Sequence, residues 1–232
     1  MTSETVKGNN SKGVRAVTSN QSGVHDKLET TVRRHLEHPF RKPITAHTQA
    51  AFDAAANWLA SQHRPLLLDS FCGTGESTVW LAQSHPDCAV IGIDKSAARL
   101  DKQKHLPDNA LLVRADADDF WRLALAANWQ PQQHTLFYPN PWPKSEHLKR
   151  RVQGSPLLPT LLNLGGIIEL RTNWRIYAEE FCFALKIAGF SVEPKILHVG
   201  QPVTAFERKY HEAGQTLWQV VAPLSSHPPS SV

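Results

Sequence analysis

The sequence predicts an α/β protein built on a doubly wound, mostly parallel sheet of seven strands, and three observations carry that expectation. Short apolar runs alternate with stretches of helical spacing along most of the chain. One run, Leu66-Leu-Leu-Asp-Ser, passes through a small-residue turn, Cys72-Gly-Thr-Gly75, directly into a helical stretch that begins at Glu76. Four runs end in polar residues, Asp69, Asp94, Asp116 and Asn140, where an open α/β sheet presents its ligand crevice.

Residues 1–26 are rich in Ser, Thr, Asn, Gly and Lys with almost nothing to bury, and read as a disordered polar tail. Residues 27–47 form a short basic arm. Leu28, Val32 and Leu36 keep helical spacing, and Lys27, Arg33, Arg34, Arg41 and Lys42 outnumber Glu29 and Glu37. That arm reads equally as a solvated helix face or as a clamp on a phosphate backbone. The domain proper runs over 48–224. It opens with an amphipathic helix over 48–61, which carries Phe52, Ala55 and Trp58. Strands follow at 66–69, 89–94, 110–116, 134–140, 166–172, 190–199 and 217–222. Helices are expected near 76–84, 96–104, 120–128, 156–164 and 176–188. Residues 225–232 read as a frayed tail.

Composition narrows the classes. The 232 residues are 41% hydrophobic, enough for a sizeable core, and the formal charge of +4 permits a polyanionic partner without demanding one. Cys72, Cys88 and Cys182 are odd in number and widely spaced, so neither a disulfide framework nor a metal site is expected. No apolar run approaches the roughly 20 residues of a membrane span. The expectation is a cytoplasmic monomer with no metal and no membrane partner.

The glycine turn joins a strand to a helix N-terminus, where backbone N–H groups and the helix dipole favour a nucleotide-like ligand. Asp94 ends the next strand, about 20 residues on, placed to accept from ribose hydroxyls. The third glycine of a dinucleotide fingerprint is replaced by Thr78, and Asp69 at the loop entry would repel phosphate. A ligand with a ribose and a cationic tail fits better, and S-adenosylmethionine is such a ligand. The plain alternative is a strand–turn–helix of any α/β protein.

The fourth strand tip is more specific. Tyr138-Pro-Asn-Pro-Trp-Pro-Lys-Ser-Glu-His-Leu-Lys-Arg-Arg151 combines a proline-fixed backbone, an aromatic face at Trp142 beside Asn140, and the basic residues Lys144, Lys149, Arg150 and Arg151. Stacking a base, hydrogen-bonding its edge and holding its phosphates is the chemistry of single-stranded RNA recognition.

Residues 140–151 resemble the Asp-Pro-Trp-x-Lys-x-x-His-x-Lys-Arg-Arg signature of the bacterial tRNA (guanine-N7)-methyltransferase family. Thr172-Asn173 resembles its Thr-Asp pair, and Pro202-Val-Thr-Ala-Phe-Glu207 resembles its Thr-x-Phe-Glu motif. The resemblance implies a Rossmann-like class I S-adenosylmethionine-dependent methyltransferase domain acting on tRNA. It implies that Asp69, Gly73, Gly75, Asp94, Asp116 and Asn140 hold the cofactor, with Asn140 in the catalytic position. It further implies that Trp142, Lys144, His147, Arg150, Asn173, Thr204, Phe206 and Glu207 meet the guanosine or its neighbours.

Two departures stand out. The family carries an acid where this chain has Asn140 and again where it has Asn173. A carboxylate accepts from both guanine N1–H and N2–H, whereas an amide offers one acceptor and one donor group. Two other readings therefore stay open: a methyltransferase acting on an exocyclic amine, and a tRNA-binding relative without catalysis.

Overall fold

The computed structural model describes residues 14–224. The expected frayed tail at 225–232, and the first half of the expected disordered tail, lie outside the described residues. Seven strands form one sheet: β1 (Leu66–Ser70), β2 (Ala89–Asp94), β3 (Ala110–Arg114), β4 (Gln133–Phe137), β5 (Ile167–Thr172), β6 (Lys195–Ile196) and β7 (Trp218–Pro223). Their order is β3-β2-β1-β4-β5-β7-β6. All neighbours are parallel except β7, which runs antiparallel to both β5 and β6. The expected doubly wound sheet is the fold observed.

Side chains alternate along the central strands and divide the core in two. Leu66, Leu68, Ile91 and Ile93 enter the larger cluster, while Leu67 and Val90 enter the smaller one. The larger cluster takes buried residues from α1 (Leu28–Glu37), α2 (Ala46–Gln62), α5 (Ala117–Ala126), α6 (Leu158–Asn163) and α7 (Arg175–Ile187). The smaller lies under Leu81 and Ala82 of α3 (Glu76–Ser84). The helical half of the basic arm is therefore a core element, with Leu28 and Val32 fully buried against α7 and α6.

Three elements differ from the expectation. Only Lys195–Ile196 of the run 190–199 pairs with the sheet. It is an edge strand, and the preceding Pro194 has no N–H to give a ladder. The fourth strand stops at Phe137, because Tyr138 takes a left-handed φ of 52° before Pro139. Residues 14–26 are not a loose tail. Polar though they are, they find buried partners: Gln21 bonds Arg151 and Glu180, and the Val14 carbonyl accepts from Gln215.

The turn after β1 explains the absent third glycine. Gly75 has φ 82°, and a Cβ there would lie 2.9 Å from Leu112 Cδ1. Close approach of α3 to the sheet is supplied instead by Gly92 on β2, where a Cβ would stand 2.2 Å from Thr78 Oγ1. Thr78 is thereby free to donate its hydroxyl to Asp69 at 2.7 Å.

Candidate active site

The carboxyl ends of β2, β3, β4 and β5 open onto one cavity of about 600 Å³. Its walls include Asp94, Asp116, Asn140, Trp142, Arg150, Asn173 and Phe206, seven of the residues expected at the site. It runs from acids at one end to aromatic and amide side chains at the other.

At the acidic end Asp94 is almost fully buried. One oxygen accepts from the Gly73 N–H at 3.1 Å, and the other accepts from the Ser96 N–H at 2.8 Å and pairs with Arg99 at 3.1 Å. Asp94 thus shapes the glycine turn while facing the cavity, and an ionised carboxylate retains acceptor capacity for a hydroxyl. Asp116 caps α5, accepting from the Asp118 N–H at 3.0 Å. Asp118, which sequence reading passed over, also lines the cavity. Burial, with Asp116 and Asp119 nearby, lifts its carboxyl to about 6. Because that lies above the ordinary 3.8, its contribution to folding is present below about pH 4 and is lost as pH rises through about 6. The charge it offers a cationic ligand appears over the same interval. Cofactor affinity measured by calorimetry is expected to be tighter at pH 7 than at pH 5 by about 1 kcal/mol, and Asp118→Asn should flatten the difference.

Asp69 and the two turn glycines stand outside the cavity walls. Asp69 is wholly buried and accepts from Ser77, Thr78 and Thr135 hydroxyls at 2.7, 2.7 and 2.9 Å. Burial raises its pKa even so. Its work is to tie β1, α3 and β4 together beneath the turn, and it presents no surface to the cavity.

Three of the cavity residues, Phe71, Tyr138 and Trp142, carry left-handed backbones, with φ of 64°, 52° and 44°. Strained non-glycine residues gathered on one cavity indicate a surface held for binding rather than for folding economy. Two buried ion networks hold it. In the first, Arg151 is wholly buried, pairs with Glu180 of α7 at 2.7 Å, and donates to the carbonyls of Trp142 and Lys144 at 3.1 and 3.3 Å. Arg151 is therefore a strut and not a phosphate ligand. In the second, Arg171 of β5 joins Glu169 at 2.7 Å and Glu207 at 3.0 Å.

Glu207 is wholly buried and also accepts from the Val203 N–H at 2.9 Å, which removes it from the substrate-facing set. Thr204 caps α8 (Ala205–Glu212), accepting from the Glu207 N–H at 2.9 Å. Thr204-x-x-Glu207 is a capping-box spacing, a signal that could have announced this helix from sequence. The consequence is positional: α8 is fixed so that Phe206 and Tyr210 overhang the cavity.

The remaining expected contacts are placed as follows. Lys144 lies in a separate hollow with Thr18, Ser19 and Asn20. His147 packs edge-on against Trp142, ring centres 5.4 Å apart, and so supports the stacking residue. The Arg150 guanidinium lies 4.7 Å over the Trp142 ring, at an exposed position.

Comparison with known proteins agrees with this geometry. The family model described as "Methyltransf_4: Putative methyltransferase" matches residues 63–220. A tRNA (guanine-N(7)-)-methyltransferase of Mycobacterium ulcerans is 30% identical over 78% of this chain and 73% of its own. One from Nitrosospira multiformis is 29% identical over 69% of this chain and 75% of its own. Among solved structures, the 16S rRNA methyltransferase KamB superposes with a TM-score of 0.57 at 19% identity, over 75% of this chain and 94% of its own. A 16S rRNA (adenine(1408)-N(1))-methyltransferase from Catenulisporales acidiphilia, solved with its cosubstrate SAM, gives 0.53 at 18% identity, over 78% and 94%. These two show the fold. With the sheet order, the strand-tip cavity and the matched relatives in agreement, the chain belongs to the tRNA (guanine-N(7)-)-methyltransferase family.

Proposed function

We propose that the protein transfers a methyl group from S-adenosylmethionine to N7 of a guanosine in tRNA, as a cytoplasmic monomer. The observation that carries this reading is the single cavity in which strand-tip carboxylates meet the strained Tyr138–Trp142 loop.

The residues fit the cofactor. Asp94 offers an acceptor to ribose hydroxyls, Asp116 and Asp118 stand beside it, and the positive-φ glycines let the turn below pack tightly. When bound, the cofactor supplies an electrophilic methyl on a sulfonium. Guanine N7 already holds a free lone pair, so this chain needs no general base. Its residues must align N7 with the methyl and tolerate the positive charge that grows on the purine. Asn140 and Asn173 stand at the tips of β4 and β5 to hold the base edge, and Trp142 and Phe206 close over it. The Tyr138 phenol, whose pKa burial and Glu207 push upward, stays neutral throughout.

Lys149 and Arg150 stand at the cavity mouth, where the tRNA backbone would pass. Arg150→Ala should weaken tRNA binding several-fold, evenly across sequences, and reduce the slope of log affinity against log salt by about 1. Cofactor affinity, which rests on the carboxylates at the tips of β2 and β3, serves as the unaffected control.

The function is tested by incubating the protein with labelled S-adenosylmethionine and unmodified tRNA, then identifying the methylated nucleoside. N7-methylguanosine is the expected product. Label in another nucleoside, or none while cofactor binding persists, would overturn the assignment.

A further inference from the structure

The two amides that replace the family's acids do not face the cavity in the same sense. Asn140 Oδ1 accepts from the Trp142 backbone N–H at 3.3 Å. A backbone N–H can only donate, so the oxygen is the end that is used, and Nδ2 is left without a partner among the described residues. Asn173 is oriented by a longer relay. Gln215 Nε2 donates to the Val14 carbonyl at 3.1 Å, and a carbonyl can only accept. Gln215 must therefore turn Oε1 toward Asn173, which meets it with Nδ2 at 2.9 Å. Asn173 Oδ1 is then the end without a partner among the described residues.

Both amides line the same cavity. They follow neighbouring parallel strands whose last paired residues are Phe137 and Arg171. One presents a donor and the other an acceptor.

We infer that Asn140 and Asn173 form a donor–acceptor pair that reads the O6 and N1–H edge of the target guanine and leaves its 2-amino group unread, with Gln215 as the positioning residue for the acceptor. The inference rests on the function proposed above. Guanine places the O6 acceptor directly beside the N1–H donor, which is the complement of the Asn140 Nδ2 and Asn173 Oδ1 pair. Two aspartates would present acceptors only, and would reach for N1–H together with the 2-amino group. An aspartate at 173 would also set its carboxylate against Gln215 Oε1. Gln215 would then have to turn over and release Val14. The asparagine, the glutamine and the docked N-terminal segment are thus one unit.

The test uses full-length tRNA ligated with a single inosine at the guanosine that the protein methylates. Inosine keeps O6 and N1–H and lacks only the 2-amino group. kcat/KM for inosine within about threefold of guanosine is the expected result, and a loss of tenfold or more overturns the inference. Asn173→Asp should create a preference for guanosine of about tenfold, a ratio that a merely structural role would not move. Gln215→Leu should raise KM for tRNA at least tenfold with cofactor affinity unchanged. Gln215→Glu still accepts from Asn173 Nδ2 but cannot donate to the Val14 carbonyl, so it should restore only part of the loss; folded Gln215→Leu and Gln215→Glu variants that behave alike count against the positioning role. The two claims separate cleanly. Absence of N7-methylguanosine from the unmodified tRNA overturns the function and the inference with it, whereas N7-methylguanosine with a large inosine penalty overturns the inference alone.

Discussion

Glu180→Ala is expected to lower the free energy of unfolding by about 3–5 kcal/mol, the cost of leaving one member of a buried ion pair alone. For a chain of this size that corresponds to roughly 10 °C in melting temperature. Glu180 is wholly buried on α7 and accepts from Arg151 at 2.8 and 2.7 Å, from Gln21 at 2.8 Å, from the His25 N–H at 3.1 Å and from Gln153 at 2.9 Å. Without it, the Arg151 guanidinium would remain wholly buried, held by the Gln21 amide oxygen and two backbone carbonyls and stacked 4.8 Å from Trp174. Glu180→Gln keeps the shape and the acceptor oxygen and should cost less. Urea unfolding with a linear extrapolation measures both. A loss below about 1 kcal/mol for the alanine variant would mean that water reaches Arg151 and that the strut is weaker than its burial implies. The effect should reach the site as well, because Arg151 holds the carbonyl of Trp142 in its left-handed turn.

Asp94→Ala is expected to weaken S-adenosylmethionine binding about 100-fold. A hydrogen bond to a charged group contributes about 1.5–3 kcal/mol, and here the same carboxylate also holds the Gly73 N–H and Arg99 in place. Removing it takes away the ribose acceptor and leaves Arg99 as an unbalanced positive charge beside a cationic ligand. Asp94→Asn should fall between the two. Titration calorimetry decides it: affinity within about threefold of the parent chain would show that Asp94 is a turn former and that the ribose lies elsewhere.

Much of this was legible in the chain itself. The apolar run ending at Asp69, the glycine turn and the run ending at Asp94 dictate parallel strands with a ligand site at their tips, because only small residues make that turn. Seven of the expected contacts do line the cavity, since strand ends and the loops that follow them are fixed by local pattern. What escaped notice depends on burial, which pattern reports poorly for charged residues. Lys149-Arg150-Arg151 reads as one basic run, yet a short 3-10 turn sends Arg150 outward over Trp142 and Arg151 inward to Glu180. Asp69 and Glu207 look like ligand-facing acids because they stand in motifs, but each is consumed by hydroxyls or by an arginine from a distant strand. Residues 14–26 contain little to bury. They are ordered by hydrogen bonds to groups more than 120 residues away, which no local window reveals.

The cavity at the tips of β2 to β5 is where, in the function proposed, the cofactor and the guanine meet. The most direct measurement compares Asn140→Ala with the parent chain in two assays, cofactor affinity by calorimetry and kcat/KM for N7-methylguanosine formation in tRNA. Cofactor affinity is expected to stay within about threefold while kcat/KM falls at least tenfold, the scale of one hydrogen bond lost at the reacting base. Methylation that continues at the parent rate would contradict it and place the chemistry elsewhere.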